Sequence, residues 1–267
     1  MPGEYTIAGG LTDAQRLARQ AHVMAGATQR FLDGVGLTTG WSCLDVGCGD
    51  GQVTIAMAQA AGPDARVVGV DVDADALDVA RSSAAQAGVT AEFVDDDAAH
   101  PLGTGAFALA YARLVLSHLV DPFAVVRAMA AEVRPGGVVA VEDLFTGTLR
   151  SEPLAPALDR LQDVYSATVR FHGGDPTIGP RLPALLAAAG LTDVRQDTVA
   201  NRMETVDDKL FLAQLLRNMR ASILEAETAT AAEIDALEAD VAAAARDPAT
   251  TFVQARIHQV AGRRSAG

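Results

Sequence analysis

Short apolar runs alternate with helical stretches between residues 40 and 145, and this alternation constrains the fold of the 267-residue chain. The runs are almost continuously apolar, as in strands buried on both faces of a parallel sheet. Asp121-Pro122 is typical of a helix start, with an N-cap followed by proline at the first helical position. Strands are predicted over 42–46, 66–70, 92–94, 107–111 and 138–141. The pattern predicts an α/β protein that binds its ligand at the carboxyl ends of parallel strands.

The rest of the chain is predicted to complete one domain, 1–267, around this core. Residues 1–38 have helical periodicity and form an N-terminal helical segment, and residues 40–145 form the ligand-binding core. Residues 146–250 are predicted to form a helical lid and acceptor region, with one sheet strand near 193–199. Residues 251–262 are predicted to be the last strand.

Charge and composition argue against several classes of partner. The chain has 34 acidic and 21 basic residues, a net charge of −13, whereas nucleic acids and anionic membranes attract basic surfaces. The start, MPGEYTIAGG, lacks both the basic and the apolar region of a signal peptide. The only two cysteines, Cys43 and Cys48, are typical of a reduced intracellular protein. We therefore expect a cytoplasmic protein, a monomer or homodimer, with neither a nucleic-acid nor a membrane partner.

The sequence LDVGCGDGQ at 44–52 follows one predicted strand and begins a helix. Its alternating glycines allow a tight turn close to a ligand, and the helix N-terminus offers free N–H groups to a carboxylate. Asp71 ends the next strand 20 positions after Gly51, where a carboxylate can accept ribose hydroxyls. A dinucleotide loop requires Gly or Ala where Gln52 stands, and the chain has no Tyr-x-x-x-Lys pair, so a nicotinamide-dependent oxidoreductase is disfavoured. The loop favours an adenosyl ligand with an amino-acid tail.

Five segments in order, DVGCGDG, VVGVDVD, FVDDDAAHPL, FALAYARLVLSHLVDP and VRPGGVVAVED, resemble the successive motifs of class I S-adenosylmethionine-dependent methyltransferases. The resemblance is greatest to bacterial small-molecule enzymes of the ubiquinone/menaquinone-biosynthesis type. It implies a Rossmann-like, seven-stranded, mostly parallel sheet with an antiparallel last strand. It also implies S-adenosyl-L-methionine as cofactor and S-adenosyl-L-homocysteine as product.

Residue roles at the tail of the cofactor follow from the same resemblance. The backbone of Gly47, Cys48 and Gly49 would contact the methionyl tail. Asp45 would lie beside the tail ammonium group or order the loop. Arg16 and Gln20, one turn apart on the leading helix, are candidates for the tail carboxylate; the alternative for both is an ordinary solvated helix face.

The adenosine end of the cofactor would be held by residues after the second, third and fourth strands. Asp71 would accept both ribose hydroxyls, and Val72 would pack on the adenine. Asp97 would receive the adenine amino group, with a backbone contact from Ala98, and Arg113 would touch the cofactor through its backbone. Asp95, Asp96 and Asp97 form a run where the family has Gly-Asp, so the register is open by one and Asp96 is the alternative.

Two histidines are candidates for a catalytic base. His118 follows the fourth strand and His172 lies in a glycine-rich loop of the predicted lid; the alternatives are a packing histidine and a solvated loop histidine. Tyr165, and Tyr5 as part of an N-terminal lid, are comparable candidates. The pair at 142–143 could contribute to a metal site, but no third ligand is evident, so we expect no metal.

The predicted lid is rich in apolar residues, which favours a hydrophobic small molecule as acceptor. The sequence therefore predicts methyl transfer to such an acceptor, for example a natural-product intermediate, by in-line displacement in a lidded pocket. The alternative is a protein that keeps the cofactor fold but has changed chemistry, as a cyclase or binding module.

Overall fold

Seven strands form the central sheet of the computed structural model, which describes residues 11–100 and 102–266, with side chains from residue 23 onward. The strands are β1 (Cys43–Val46), β2 (Val67–Asp71), β3 (Glu92–Asp95), β4 (Phe107–Arg113), β5 (Val133–Phe145), β6 (Arg150–Glu152), β7 (Leu191–Val199), β8 (Arg202–Met203), β9 (Thr251–Val253) and β10 (Arg256–Arg264). The sheet order is β3-β2-β1-β4-β5-β10-β7. Strand β10 is antiparallel to both neighbours, and the first five strands are parallel. The predicted Rossmann-like sheet is confirmed.

Helices cover both faces of this sheet. They are α1 (Leu11–Val35), α2 (Gln52–Ala61), α3 (Ala74–Ala87), α4 (Pro122–Glu132), α5 (Pro156–Phe171), α6 (Leu182–Ala188), α7 (Val206–Asn218), α8 (Arg220–Glu225) and α9 (Ala231–Arg246). The Asp73 side chain caps α3 by accepting two backbone N–H bonds, and Asp121 caps α4. Within the described residues, every helix is too short or too polar to cross a membrane.

The prediction of a last strand over 251–262 is wrong at its start. Residues Thr251–Val253 form β9, which pairs with β6 and β8 in a separate three-stranded sheet. Strand β10 starts at Arg256, after the backbone N–H of Gln254 has bonded to the carbonyl of Asn201 at 2.8 Å. The Arg256 N–H bonds to the Thr148 hydroxyl at 2.7 Å. These tertiary contacts divert the chain between two strands that are continuous in the sequence pattern.

The described part of the predicted N-terminal helical segment is helical, because residues 11–35 form the one helix α1. The predicted strand over 193–199 is present and starts two residues earlier, at Leu191. The strand predicted over 138–141 is longer, because residues 133–137 also belong to β5, whose register with β4 shifts between the pairs Phe107–Val133 and Leu109–Val138. The parallel pairing of β4 with β5 continues on both sides of this shift.

Apolar side chains pack in three clusters. Two cover the faces of the central sheet, with Leu44 and Val46 on one face and Cys43 on the other. The third cluster joins α5, α7, α8, α9 and the small sheet, and its buried members include Leu158 and Phe252. We call these four helices with β6, β8 and β9 the cap layer. The cap layer is therefore packed around its own core.

Candidate functional site

The loop between β1 and α2 needs glycine for two separate reasons. Gly47 has φ +68°, in the left-handed region. A Cβ at this position would lie 2.3 Å from a methyl carbon of Val115. Any side chain at position 47 would thus both strain the backbone and push away the segment that follows β4.

The buried carboxylate of Asp45 lies directly below this loop. The Thr54 hydroxyl of α2 donates to it at 2.6 Å, and the side chain is 2% exposed. Burial raises the pKa of Asp45 to about 7, against the lowering effects of the Thr54 hydrogen bond and the Arg113 charge. Asp45 therefore links β1 to α2 and places a carboxyl group that titrates near neutrality beside the glycine loop.

Asp71 ends β2 and holds the loop through backbone groups. Its two oxygens accept from the N–H of Gly49 at 2.7 Å and from the N–H of Asp73 at 3.0 Å. Burial raises the pKa of Asp71, and these two bonds counteract it. Each carboxylate oxygen has a second lone-pair site, so both can still accept a hydroxyl. The neighbouring Val72 is 61% exposed and offers an apolar surface beside this carboxylate.

Two carboxylates follow β3, and the structure places both at the same cavity. Asp96 accepts from the Asp97 N–H at 2.7 Å and contacts His100 Nδ1 at 3.1 Å. Asp97 accepts from the Ala99 N–H at 2.8 Å. Both line the cavity together with Ala98, whereas Asp95 does not. The choice between Asp96 and Asp97 as adenine partner therefore stays open.

The end of β4 carries an unusual backbone conformation. Leu114 has φ +57°, which is uncommon for a non-glycine residue, and its N–H donates to the Glu142 carbonyl at 2.8 Å. Arg113 lines the cavity and donates to the Thr28 hydroxyl of α1 at 3.4 Å. This turn directs residues 113–115 toward the glycine loop, which no local pattern in the sequence indicated.

A single cavity of about 300 Å³ joins these groups to the cap layer. Its first part, the donor half, is formed by the ends of β1, β2, β3 and β4 and contains every Asp and Arg side chain of the described lining. These are Asp45, Asp50, Asp71, Asp73, Asp96, Asp97 and Arg113. Six carboxylates and one guanidinium make this half strongly acidic, which suits a cationic ligand.

The second part of the cavity, the acceptor chamber, lies between the end of β5 and the cap layer. Its walls are mostly apolar: Leu144, Leu149, Leu161, Met203, Phe211, Leu212, Leu215, Ala255 and Ile257. Thr146, Gln162 and Gln254 add polar groups to the same walls. Sequence reasoning missed these three residues, because nothing local distinguishes them from structural polar residues.

His118 and Tyr165 border the cavity together. His118 ends a short 3-10 helix, Leu116–His118, directly after β4. Its ring meets the Tyr165 ring edge-on, with centroids 6.4 Å apart. Both residues line the cavity. The predicted candidates at 118 and 165 are thus brought together at the wall of one cavity.

The other candidate histidine is not brought to the cavity. His172 follows the end of α5, packs edge-on against Phe171 with centroids 5.2 Å apart, and is absent from the cavity lining. The glycines after it turn toward the β4–α4 connection, where a Cβ at Gly174 would lie 2.4 Å from the Ser117 carbonyl oxygen. Tyr5 and the side chains of Arg16 and Gln20 lie outside the described residues.

The acidic pair at the end of β5 is used internally. Glu142 accepts from the Tyr111 hydroxyl at 2.7 Å and from the Gln259 amide at 3.1 Å. Asp143 accepts from the Ser117 and Leu144 N–H groups, and burial raises the pKa of Asp143 to about 6. No group of three or more His, Cys, Asp or Glu side chains within the described residues has a metal-binding arrangement.

Comparison with known sequences finds a family match for the glycine loop and the strands that follow it. Residues 43–137 match the family described as a methyltransferase domain. These residues form a methyltransferase domain. The ubiquinone biosynthesis O-methyltransferase of Sodalis glossinidius is 37% identical over 130 residues, which are 47% of this chain and 48% of that protein. The chain thus spans about half the length of this curated relative.

Solved structures resemble the methyltransferase domain and the cap layer together. The YcgJ protein of Bacillus subtilis superposes with a TM-score of 0.60 at 16% identity, over 92% of this chain and 99% of its own. The [4+2]-cyclase SpnF superposes with a TM-score of 0.55 at 20% identity, over 90% and 80%. These likenesses show the fold. The acceptor chamber lies largely beyond the end of the family match at residue 137.

Proposed function

We propose that this protein is an S-adenosyl-L-methionine-dependent methyltransferase that acts on a hydrophobic small molecule, such as a natural-product intermediate. The observation that carries the proposal is the single cavity in which the acidic donor half of the methyltransferase domain opens into the apolar acceptor chamber. A donor and an acceptor bound in the two parts would meet where these adjoin, near His118 and Tyr165.

The residues of the donor half fit the cofactor. The backbone of Gly47, Cys48 and Gly49 would hold the methionyl tail, close to the buried carboxylate of Asp45. Asp71 has lone pairs left for the ribose hydroxyls. Bound S-adenosyl-L-methionine supplies a methyl group on a cationic sulfur, and the carboxylates of this half stabilise that charge.

The cap layer would act as the lid. Its apolar side chains exclude water and hold the acceptor in an orientation for in-line displacement, which supplies much of the catalysis in such reactions. His118 is the proposed base where the acceptor is a hydroxyl, since it lines the cavity between the two parts. An amine acceptor would need no base, and the choice among oxygen, nitrogen and carbon is left to experiment.

Calorimetric titration with S-adenosyl-L-homocysteine tests the cofactor assignment. We expect the wild-type protein to bind, and the Asp71→Ala variant to bind at least about tenfold more weakly, about 1.4 kcal/mol. Asp78→Ala is the matched control, because this carboxylate of α3 is 80% exposed and, among the described residues, pairs with Arg81 of the same helix. Absence of binding to the wild type would refute the methyltransferase proposal, and equal affinities of wild type and Asp71→Ala would refute the role of Asp71.

A second candidate function is a cyclase that keeps the cofactor fold, favoured by the likeness to SpnF over 90% of the chain. The two are distinguished by incubating the protein with methyl-labelled S-adenosyl-L-methionine and a library of aromatic and polyene small molecules. Label in a small-molecule product, with one S-adenosyl-L-homocysteine released per methyl, supports transfer. Conversion of a library member without label or cofactor consumption supports the cyclase.

A further inference from the structure

Two buried glutamines line the acceptor chamber among apolar neighbours. Gln162 of α5 is 8% exposed and Gln254, between β9 and β10, is 7% exposed. Both border the same cavity as Met203 and Phe211. A buried primary amide is costly unless its donors and acceptor are all paired. The partners of each amide therefore indicate what the chamber is built to bind.

The amide of Gln162 has one end fixed by the protein. Its Oε1 accepts from the backbone N–H of Leu149 at 3.0 Å. A backbone N–H only donates, so the oxygen must face Leu149 and the NH₂ group must point the other way. Nε2 donates to no atom in the described part of the chain. It is not fully buried, so a ligand can reach it.

Gln254 repeats this arrangement on another wall. Its backbone N–H donates to the Asn201 carbonyl at 2.8 Å, and its Oε1 accepts from Asn201 Nδ2 at 2.9 Å. Its Nε2 likewise donates to no atom within the described residues and is not fully buried. Both glutamines thus use their oxygens for the framework and present amide N–H groups that only donate.

Charge is confined to the other half of the cavity. The described walls of the acceptor chamber contain no Lys, Arg, Asp or Glu. An acceptor bearing a carboxylate or phosphate would be buried there without a counter-ion, at a large desolvation cost. An uncharged oxygen, in contrast, would accept from the free N–H groups.

We infer that Gln162 and Gln254 determine acceptor specificity, by donating hydrogen bonds to an oxygen of an uncharged, mainly apolar molecule such as a ketone, quinone or phenol. This inference rests on the proposed function, since it assigns the chamber to the acceptor. It names the part of the acceptor that the protein orients, while the apolar walls enclose the remainder.

The test uses three probes of similar size: 2-acetylnaphthalene, 2-isopropylnaphthalene and 2-naphthoate. Dissociation constants are measured by equilibrium dialysis against the full chain, with and without saturating S-adenosyl-L-homocysteine.

Gln162→Glu and Gln254→Glu each keep an oxygen for the framework bond and replace the donor NH₂ with a second oxygen. Gln86→Glu, on the exposed face of α3, is the matched control. Thermal unfolding of each variant checks that it is folded.

We expect the ketone to lose about tenfold in affinity relative to the hydrocarbon in each chamber variant, with no change in the control. We also expect the wild type to bind the ketone more tightly than the carboxylate. An unchanged ketone-to-hydrocarbon ratio in both variants would overturn the inference, as would equal binding of 2-naphthoate or no binding of any probe. If S-adenosyl-L-homocysteine binds but the ketone-to-hydrocarbon ratio is unchanged in the variants, only this inference is rejected. If the ratio changes but S-adenosyl-L-homocysteine does not bind, only the proposed function is rejected.

Discussion

At the scale of single residues, Asp45 has a carboxyl group whose buried environment disfavours the ionised form. It is fully enclosed below the glycine loop and has one neutral donor, Thr54. The folded protein therefore retains its proton up to about pH 7, whereas the unfolded chain releases it near the ordinary pKa of 3.8. A ligand with an ammonium group would favour the ionised form and lower this pKa on binding.

We expect Asp45 to make the free energy of unfolding fall as the pH rises from about 4 to about 7, because the native state keeps a proton that the unfolded chain releases; His258, whose pKa burial lowers, acts in the opposite direction. Asp143, with a pKa of about 6, acts in the same direction at the lower end. Urea unfolding at a series of pH values measures the slope. The Asp45→Asn variant, which can still accept from Thr54, should be less pH-dependent throughout this range, and most clearly around pH 5–6, where the native carboxyl is protonated and the unfolded one is ionised. A slope equal to that of the wild type would contradict this account.

The donor-half residues were predictable because their roles are local. Gly47, Asp45 and Asp71 occupy fixed positions relative to strand ends, and the motif spacing identifies them. Gln162 and Leu114 gave no such signal. Their roles depend on contacts with Leu149 and Glu142 that the spacing of the motifs does not reveal, because these contacts form only when the chain is folded.

At the scale of secondary-structure elements, the only lysine of the chain holds two parts of the cap layer together. Lys209 of α7 is 3% exposed. Its ammonium group donates to the Asp247 carbonyl at 3.2 Å and to the Thr250 carbonyl at 2.9 Å, and it lies 5.8 Å from the centre of the Phe252 ring. It thus ties the start of α7 to the segment between α9 and β9.

Replacing Lys209 with Met should keep the apolar stem and remove the ammonium group. The carbonyl of the buried Thr250 would lose this donor, whereas the Asp247 carbonyl still accepts from the Thr250 N–H at 3.2 Å, so we expect a loss of about 1–3 kcal/mol in the free energy of unfolding. Chemical denaturation followed by circular dichroism measures this loss. Arg246→Met is the control, since Arg246 is exposed and, among the described residues, donates to a carbonyl of its own helix. Equal stability of the two variants would show that the ammonium group is dispensable.

The sequence predicts the boundary of an element where a capping residue marks it. It does not predict a boundary that is set by tertiary contacts. Asp73 and Asp121 mark the starts of α3 and α4 as the sequence indicates. The division between β9 and β10 has no local marker, because apolar residues alternate through it and the break is produced by bonds to Asn201 and Thr148.

At the scale of the whole molecule, the net charge of −13 is accompanied by a concentration of carboxylates at the donor half of the cavity. The potential there favours cations. The proposed cofactor and its product differ by the positive charge of the sulfonium group, so this field acts more strongly on the cofactor.

We therefore expect added salt to weaken S-adenosyl-L-methionine binding more than S-adenosyl-L-homocysteine binding. Raising NaCl from about 0.05 M to about 0.5 M shortens the screening length about threefold and should reduce the ratio of the two affinities several-fold. Calorimetry with both ligands gives the ratio at each salt concentration. Parallel salt dependence of the two ligands would mean that the carboxylates do not act on the sulfonium charge.

Two stretches of chain form the cap layer: one between β5 and α6 carries β6 and α5, and one between β7 and β10 carries β8, α7, α8, α9 and β9. The two ends of the second stretch lie beside each other. Val199, where β7 ends, is the pairing partner of Ile257, next to the start of β10. Residues 200–255 therefore occupy the place of a hairpin turn, and their two ends are held about 5 Å apart by the sheet. A segment attached in this way can be exchanged for one of different length and lining without disturbing strand register. One contiguous stretch of gene therefore encodes Met203, Phe211 and Gln254, and its replacement would change this part of the chamber lining while the α5 side of the chamber stays the same.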